Sequence, residues 1–178
     1  MSKFIDSIIG HAVGDAMGVP TEFCIREYLL KNPVKEMIES DKPGQPAGSW
    51  SDDTSMEIAT IDSFIQNKEF NYDDIMHKWE EWINEAKYTA NNDTFDVGRT
   101  CLRAIRNHSL GTEPLKCGID GEQSNGNGSL MRILPVALYS YYRKLDVNEI
   151  IKLTNELSSL THKHDISKLG CYIYVRYI

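Results

Sequence analysis

The sequence predicts an all-α fold on three observations. Apolar residues recur at helical spacing along most of the chain, Gly and Pro collect between those stripes, and no segment alternates as a half-buried strand does. With 178 residues, 41% of them hydrophobic, the chain can fill one core of ordinary size, and a single domain over 1–178 is expected.

The first stripe is Phe4, Ile5, Ile8, Ile9, Ala12, Val13 and Ala16, ending at the breakers Gly18-Val19-Pro20. Ile58, Ile61, Phe64 and Ile65 form a second, with Asp52 and Asp53 in or just before its first turn. The clearest helix carries Tyr72, Ile75, Met76, Trp79, Trp82 and Ile83, and Asp73 and Asp74 near its start suit the helix dipole. Further stripes follow at Val97, Cys101, Leu102 and Ile105, over residues 130–141, and at Val147, Ile150, Ile151, Leu157 and Leu160. A last one starts near Ile166, Leu169 and Ile173. Pro135 falls inside the 130–141 stripe, where it should kink the helix or weaken its first turns. Two longer irregular stretches, 32–50 and 108–129, read as functional loops on a helical scaffold.

The net charge of −7, with no basic block or aromatic-interleaved basic stripe, argues against bulk binding to nucleic acid. No apolar run is long enough to span a membrane, and the N-terminus lacks the pattern of a secretion signal, so a soluble, cytoplasmic protein is expected. Cys24, Cys101, Cys117 and Cys171 are scattered without CxxC pairing, which argues against zinc and against a disulfide framework and for reduced thiols.

Four segments carry chemistry. Ser51-Asp52-Asp53-Thr54 gathers hard oxygen ligands on one short backbone stretch, which taken alone reads first as a capped helix start and second as a metal half-site. Asn125-Gly126-Asn127-Gly128-Ser129 precedes an apolar helix. It reads either as a glycine-rich turn with Ser129 as N-cap or as a loop whose N–H groups approach a diphosphate. Thr161-His162-Lys163-His164-Asp165 invites comparison with His-Asp metal hydrolases, which would need His77 or His108 as further ligands. Asp15, on an otherwise apolar helix, needs a backbone N–H or a cation if it faces inward, and Glu22 follows a Pro turn.

In order along the chain stand five motifs. They are Gly10-His11-Ala12-Val13-Gly14-Asp15-Ala16-Met17-Gly18-Val19-Pro20-Thr21-Glu22-Phe23, Gly48-Ser49-Trp50-Ser51-Asp52-Asp53-Thr54-Ser55-Met56, Asp96-Val97-Gly98-Arg99-Thr100, Gly126-Asn127-Gly128-Ser129-Leu130-Met131-Arg132 and Thr161-His162. Together they resemble the ADP-ribosylglycohydrolase family, the dinitrogenase reductase-activating type included. The resemblance runs from about residue 5 to the last residue.

The resemblance implies an all-helical fold and hydrolysis of the glycosidic bond between ADP-ribose and a modified acceptor, with two Mg²⁺ or Mn²⁺ ions. Ser51, Asp52 and Asp53 then occupy the first metal-ligand triplet, Ser51 standing where the family commonly has Thr, and Thr54 adds an oxygen. Glu22 matches an acidic residue near the metals and is a candidate acid or base, while Asp52 or Asp53 anchors the metal whose water is activated. Gly126, Asn127, Gly128 and Ser129 match the loop around the ADP-ribose phosphates, and His162 a position near the ligand. The expected partner is an ADP-ribosylated protein or small molecule.

The family's second metal run, Asp-x-Asp-Thr or Asp-x-Asp-Ser, has no counterpart here. The chain is therefore expected to lack the C-terminal helices of the family, to hold at most a half-site, and to cover its apolar faces by homo-oligomerisation, domain swapping or a partner. A non-catalytic ADP-ribose or nucleotide binder, or a helical interaction remnant, is the alternative to an active enzyme.

Overall fold

A computed structural model describes residues 3–40 and 44–178. Among them nine α-helices run in order: α1 (Lys3–Gly18), α2 (Arg26–Lys31), α3 (Asp52–Asn67), α4 (Tyr72–Glu85), α5 (Arg99–Ser109), α6 (Pro114–Cys117), α7 (Leu134–Arg143), α8 (Val147–Ser159) and α9 (Asp165–Tyr177). The described residues contain no strand and only two isolated bridges, Ser40 with Gln45 and Ile119 with His162. No helix among them is long and apolar enough to cross a membrane.

The expected stripe on α4, with most of those near α5, α7 and α8, enters the core, whereas those on α1, α3 and α9 do not: Ile5, Ile9, Val13, Ile65, Ile166, Leu169 and Ile173 are exposed. α3 packs along α4 and α8 against α9, and the buried set runs from Met56 and Ala59 through Ile75, Met76, Trp79 and Trp82 to Ile133, Leu157 and Leu160. Two indoles in one core bring a large apolar area out of water, and each needs a partner for its N–H. Trp79 Nε1 donates to the Met56 carbonyl at 3.1 Å, which ties the first turns of α3 to the middle of α4. Asn71 caps the α4 start, its side chain accepting from the Asp74 N–H. Asp146 and Glu149 form a reciprocal capping box on α8.

Two expectations are corrected. The helix expected from Leu130 starts instead at Leu134, after a 3₁₀ turn over Asn127–Ser129, so Pro135 sits in its first turn. There a missing N–H costs nothing and the fixed φ suits the helix, so the proline starts α7 rather than kinking it. The second loop is also less irregular than its composition implies, whereas no helix falls among the described residues of the first. The second contains α6 and two 3₁₀ turns, and α2 lies just before the first. Short elements of this length carry too few residues to show a period.

The 44–50 segment is held against the α4–α5 connection. Trp50 Nε1 donates to the Tyr88 carbonyl at 3.0 Å, Gln45 Nε2 donates to Asp93 at 2.7 Å, and Asn91 donates to the Ser49 hydroxyl. This fixes where the chain enters α3.

Candidate active site

Asp15 sets the geometry of the acidic side of the site. From α1 it reaches across to the start of α3 and accepts from the Ser51 N–H at 3.0 Å, the Thr54 N–H at 3.0 Å, the Ser51 hydroxyl at 2.7 Å and the Thr54 hydroxyl at 2.6 Å. A helix start leaves N–H groups without internal partners, and a carboxylate there also suits the dipole. Ser51 therefore makes no side-chain cap of its own, and the capping reading of Ser51-Asp52-Asp53 is corrected: the cap is supplied by another helix. Asp52 and Asp53 are left free of capping work.

Both line the cleft, with Glu22 from the turn after α1 and Asp96 from the stretch before α5. Burial first, then the charges of Asp53, Asp96 and Asp15, push the Asp52 carboxyl up to about 8, although a Gly98 N–H bond pulls the other way. Burial and Asp15 push Asp53 up to about 6, with His11 and Ser51 opposing. Burial and the facing Asp96 carboxyl raise Glu22 to about 8. All three shifts have the same two causes in the same order: burial takes the carboxyls out of water, and neighbouring acids then add negative charge. His11 pairs with the buried Glu57 rather than with the cluster. Burial would lower His11, but Glu57, Asp53 and Asp15 outweigh it and its pKa is raised. No three side-chain ligand atoms of the cleft acids lie within 4.8 Å of one another among the described residues.

The opposite wall is the loop over 126–129 and His162. Here glycine is required sterically: a Cβ on Gly128 would stand 2.7 Å from both Cys101 Sγ and His162 Cε1. Gly118 is as constrained, because a Cβ there would meet the Ser159 carbonyl oxygen at 2.1 Å. That close approach lets the Ile119 N–H donate to the Thr161 carbonyl and the Lys163 N–H to the Ile119 carbonyl, both at 2.9 Å, which fixes the backbone on either side of His162. Burial, then the Arg132 guanidinium, lowers His162 to about 4, so its ring is neutral near pH 7. Its Nδ1 is 2.8 Å from the Thr161 hydroxyl, and the ring lines the cleft.

Arg132 holds this wall in place. It is fully buried with no carboxylate partner. Its Nε donates to the Gly128 carbonyl at 3.1 Å, Nη1 and Nη2 to the Leu157 carbonyl at 3.3 Å, and Nη2 to Thr161 Oγ1 at 2.8 Å, while its plane lies 4.1 Å from the Trp79 ring centroid. A planar fork that satisfies carbonyls and stacks on an indole is arginine chemistry that lysine does not reproduce.

A cavity of about 350 Å³ is bounded by Glu22, Asp52, Asp53 and Asp96 on one side and Gly126, Asn127, Gly128 and His162 on the other. It shares Glu22, Asp53 and Asn127 with a neighbouring hollow of about 530 Å³ that reaches His11, Asp15 and Ser51. Of the residues that the family resemblance singled out, Ser51, Asp52, Asp53, Glu22, Gly126, Asn127, Gly128 and His162 border one of these hollows, whereas Thr54 and Ser129 border neither, the Thr54 hydroxyl being turned to Asp15. Ser129 is buried, accepts from the Ser158 hydroxyl at 3.0 Å and lies 3.4 Å from Cys101's fellow thiol Cys171, so its side chain belongs to the core. The His-Asp hydrolase reading is corrected. His164 caps α9 by accepting from the Ile166 N–H, Asp165 is exposed, and neither joins His77 or His108 in a group of three metal-ligand side chains. Sequence reasoning assigned no role to Asp96 or Arg132, although both stand inside quoted motifs; an acid flanking a glycine before a helix and an arginine in an apolar run were the available signals.

The class defined by the fold and site is an all-helical domain in which an acidic cleft faces a glycine loop and a neutral histidine. The sequence profile described as ADP-ribosylglycohydrolase matches residues 1–178, and the chain belongs to that family. It is 29% identical over 173 residues to the "ADP-ribosylarginine hydrolase Tri1" of Pseudomonas putida (strain GB-1), covering 94% of this chain and 43% of that protein. It is 27% identical over 175 residues to the "ADP-ribosyl-[dinitrogen reductase] glycohydrolase" of Rhodospirillum rubrum, covering 95% and 54%. A solved structure titled "ADP-ribosylglycohydrolase-related protein complex" superposes with a TM-score of 0.74 at 24% identity, over 97% of this chain and 53% of that one. The chain thus spans about half the length of the curated relatives it matches.

Proposed function

We propose that this chain provides the ADP-ribose cleft and the first cation-binding acids of a metal-dependent ADP-ribosylglycohydrolase, which hydrolyses the glycosidic bond between ADP-ribose and a modified acceptor. The observation that carries the reading is the single cleft in which under-neutralised carboxylates face the Gly126–Gly128 loop and a neutral His162. Family membership and the names of the relatives support it.

The donor set fits a hard dication. Ser51 gives its proton to Asp15 and keeps its oxygen lone pairs, while Asp52 and Asp53 offer carboxylates whose charge is otherwise poorly balanced. Ser51, Asp52 and Asp53 would hold Mg²⁺ or Mn²⁺, and since no three cleft acids converge, this is a half-site that gains from further ligands. When bound, the ion supplies positive charge that orients ribose hydroxyls and polarises water. Glu22, whose carboxyl is raised by burial and by Asp96, is the candidate to give a proton to the departing acceptor atom as water adds at the anomeric carbon. Asp53, the less strongly raised of the paired aspartates, is the candidate to accept the proton of that water. Gly126, Asn127 and Gly128 allow backbone to approach the diphosphate, and His162 Nε2 faces the same space.

The incomplete acid set favours one second reading, an ADP-ribose binder without turnover. Exposed Ile5, Ile9 and Val13 on α1, with Ile166, Leu169 and Ile173 on α9, support a covering surface such as a second copy, which a solution mass measures. The deciding experiment measures release of ADP-ribose from ADP-ribosylated substrate with Mg²⁺ and Mn²⁺, beside calorimetric ADP-ribose binding. Cation-dependent release that disappears in Asp52→Ala/Asp53→Ala, and slows in Glu22→Gln with binding retained, supports the enzyme. Binding without release leaves the second reading, and neither rejects both.

A further inference from the structure

We propose that Asp73, His77 and His108 form a separate Zn²⁺ site on the α4–α5 surface, with Glu80 positioning both imidazoles. Asp73, His77 and Glu80 lie at i, i+4 and i+7 on α4, so one helical face presents all three. His108 comes from the last turn of α5, and its ring meets that of His77 edge to face at 4.8 Å between centroids.

The four side chains alternate. Glu80 Oε1 lies 2.7 Å from His108 Nδ1 and Oε2 lies 3.2 Å from His77 Nδ1, while Asp73 Oδ1 lies 3.1 Å from His108 Nε2 and Oδ2 lies 3.5 Å from His77 Nε2. With Nδ1–H of both rings donating to Glu80, both Nε2 lone pairs point toward Asp73. Bonds of 2.0–2.1 Å in a tetrahedral site put neighbouring ligand atoms about 3.3 Å apart, which the two Asp73 distances bracket. One ligand atom from each of Asp73, His77 and His108 lies within 4.8 Å of the others.

Glu80 then plays the part that carboxylates play behind metal-bound histidines, fixing tautomer and ring angle, here for two rings at once. The burial pattern agrees. His108 is 4% exposed and Glu80 18%, whereas Asp73 and His77 are 64% and 60% exposed, so the ring anchor is fixed and the ion has an open approach and a fourth position for water. Two imidazoles and one carboxylate favour zinc over magnesium, the reverse of the all-oxygen cleft. Bound zinc would join the first turn of α4 to the last of α5.

The test uses Asp52→Asn/Asp53→Asn protein, which removes the paired aspartates of the cleft, with Mg²⁺ in excess to occupy the remaining cleft acids. Zinc titration should show one saturable equivalent, and Co²⁺ should give the intense visible bands of tetrahedral coordination. His77→Ala and Asp73→Asn, both at exposed positions, should each weaken binding at least tenfold, and Glu80→Gln by about 10 to 100-fold. Absence of saturable zinc binding, or unchanged affinity in His77→Ala, overturns the proposal. If a variant loses its helical circular dichroism, Co²⁺ added to the parent decides: the His77 and His108 ring resonances must shift and broaden, and if they stay in place the site does not exist.

Discussion

Replacing Asp52 by Asn isolates the charge imbalance on which the cleft is built. Asp52 is 5% exposed, and its carboxyl is raised from 3.8 to about 8 by burial and by its acidic neighbours. The unfolded chain releases this proton near pH 4, while the folded chain keeps it until about pH 8. The stability this group confers is therefore whole below pH 4 and is lost as pH rises toward 8, at up to about 1.36 kcal/mol per pH unit. Between pH 5 and 8 the ceiling is about 4 kcal/mol; water entering the open cleft relieves part of it, and we expect about 2 kcal/mol. For a chain of this size that is about 4–8 °C in Tm. Asn has the shape of the protonated acid and cannot ionise, so metal-free Asp52→Asn should gain on the wild type by that amount from pH 5 to pH 8. Mg²⁺ at ten times its Kd should raise the wild type at pH 8 by about 1.4 kcal/mol and the variant by much less. Thermal melts with chelator and with Mg²⁺ at both pH values measure this. Parallel pH curves, or equal Mg²⁺ stabilisation of the two proteins, would refute the reasoning.

Gly128→Ala drives a methyl into Cys101 and His162, which costs about 1–3 kcal/mol in overpacking and should weaken ADP-ribose binding in calorimetry; unchanged affinity would remove this wall from the ligand site. Asp15→Ala strips the cap from α3 and strands the Ser51 and Thr54 N–H groups, for a loss of about 2 kcal/mol by denaturant titration. Arg132→Met removes the donors to Gly128, Leu157 and Thr161 and should cost about 3 kcal/mol. In that variant His162 should titrate above its native value of about 4 by NMR, though burial still holds it below the ordinary imidazole range.

The fold was legible because stripes such as Tyr72 to Ile83 are long enough to show their period, and the structure buries Ile75, Met76, Trp79 and Trp82 as that period requires. The start of α7 was misread because periodicity continues across Leu130 to Ile133 while the backbone is turned, and only Pro135 marked the true first turn. The acids of the cleft were visible as types. Their arrangement was not, because it depends on Asp15 reaching over 36 positions of sequence to Ser51, a contact with no local signature. Ser129 was misplaced for the same reason: a serine beside a glycine loop looks the same in sequence whether its hydroxyl faces a ligand or Ser158.

Arg132 also fixes how the molecule comes apart. Because one side chain bonds the glycine loop, the end of α8 and Thr161 while resting on Trp79, the ligand wall has no opening motion of its own smaller than disruption of the core. Amide exchange at Gly128, Thr161 and the Trp79 helix should then occur together and at the global unfolding free energy, whereas the turn carrying Glu22, with exposed Phe23 at φ 60°, exchanges earlier. On this reading the Glu22 turn moves independently of the rest of the cleft, whose Asp52 and Asp53 sit on a helix tied to the Trp79 core.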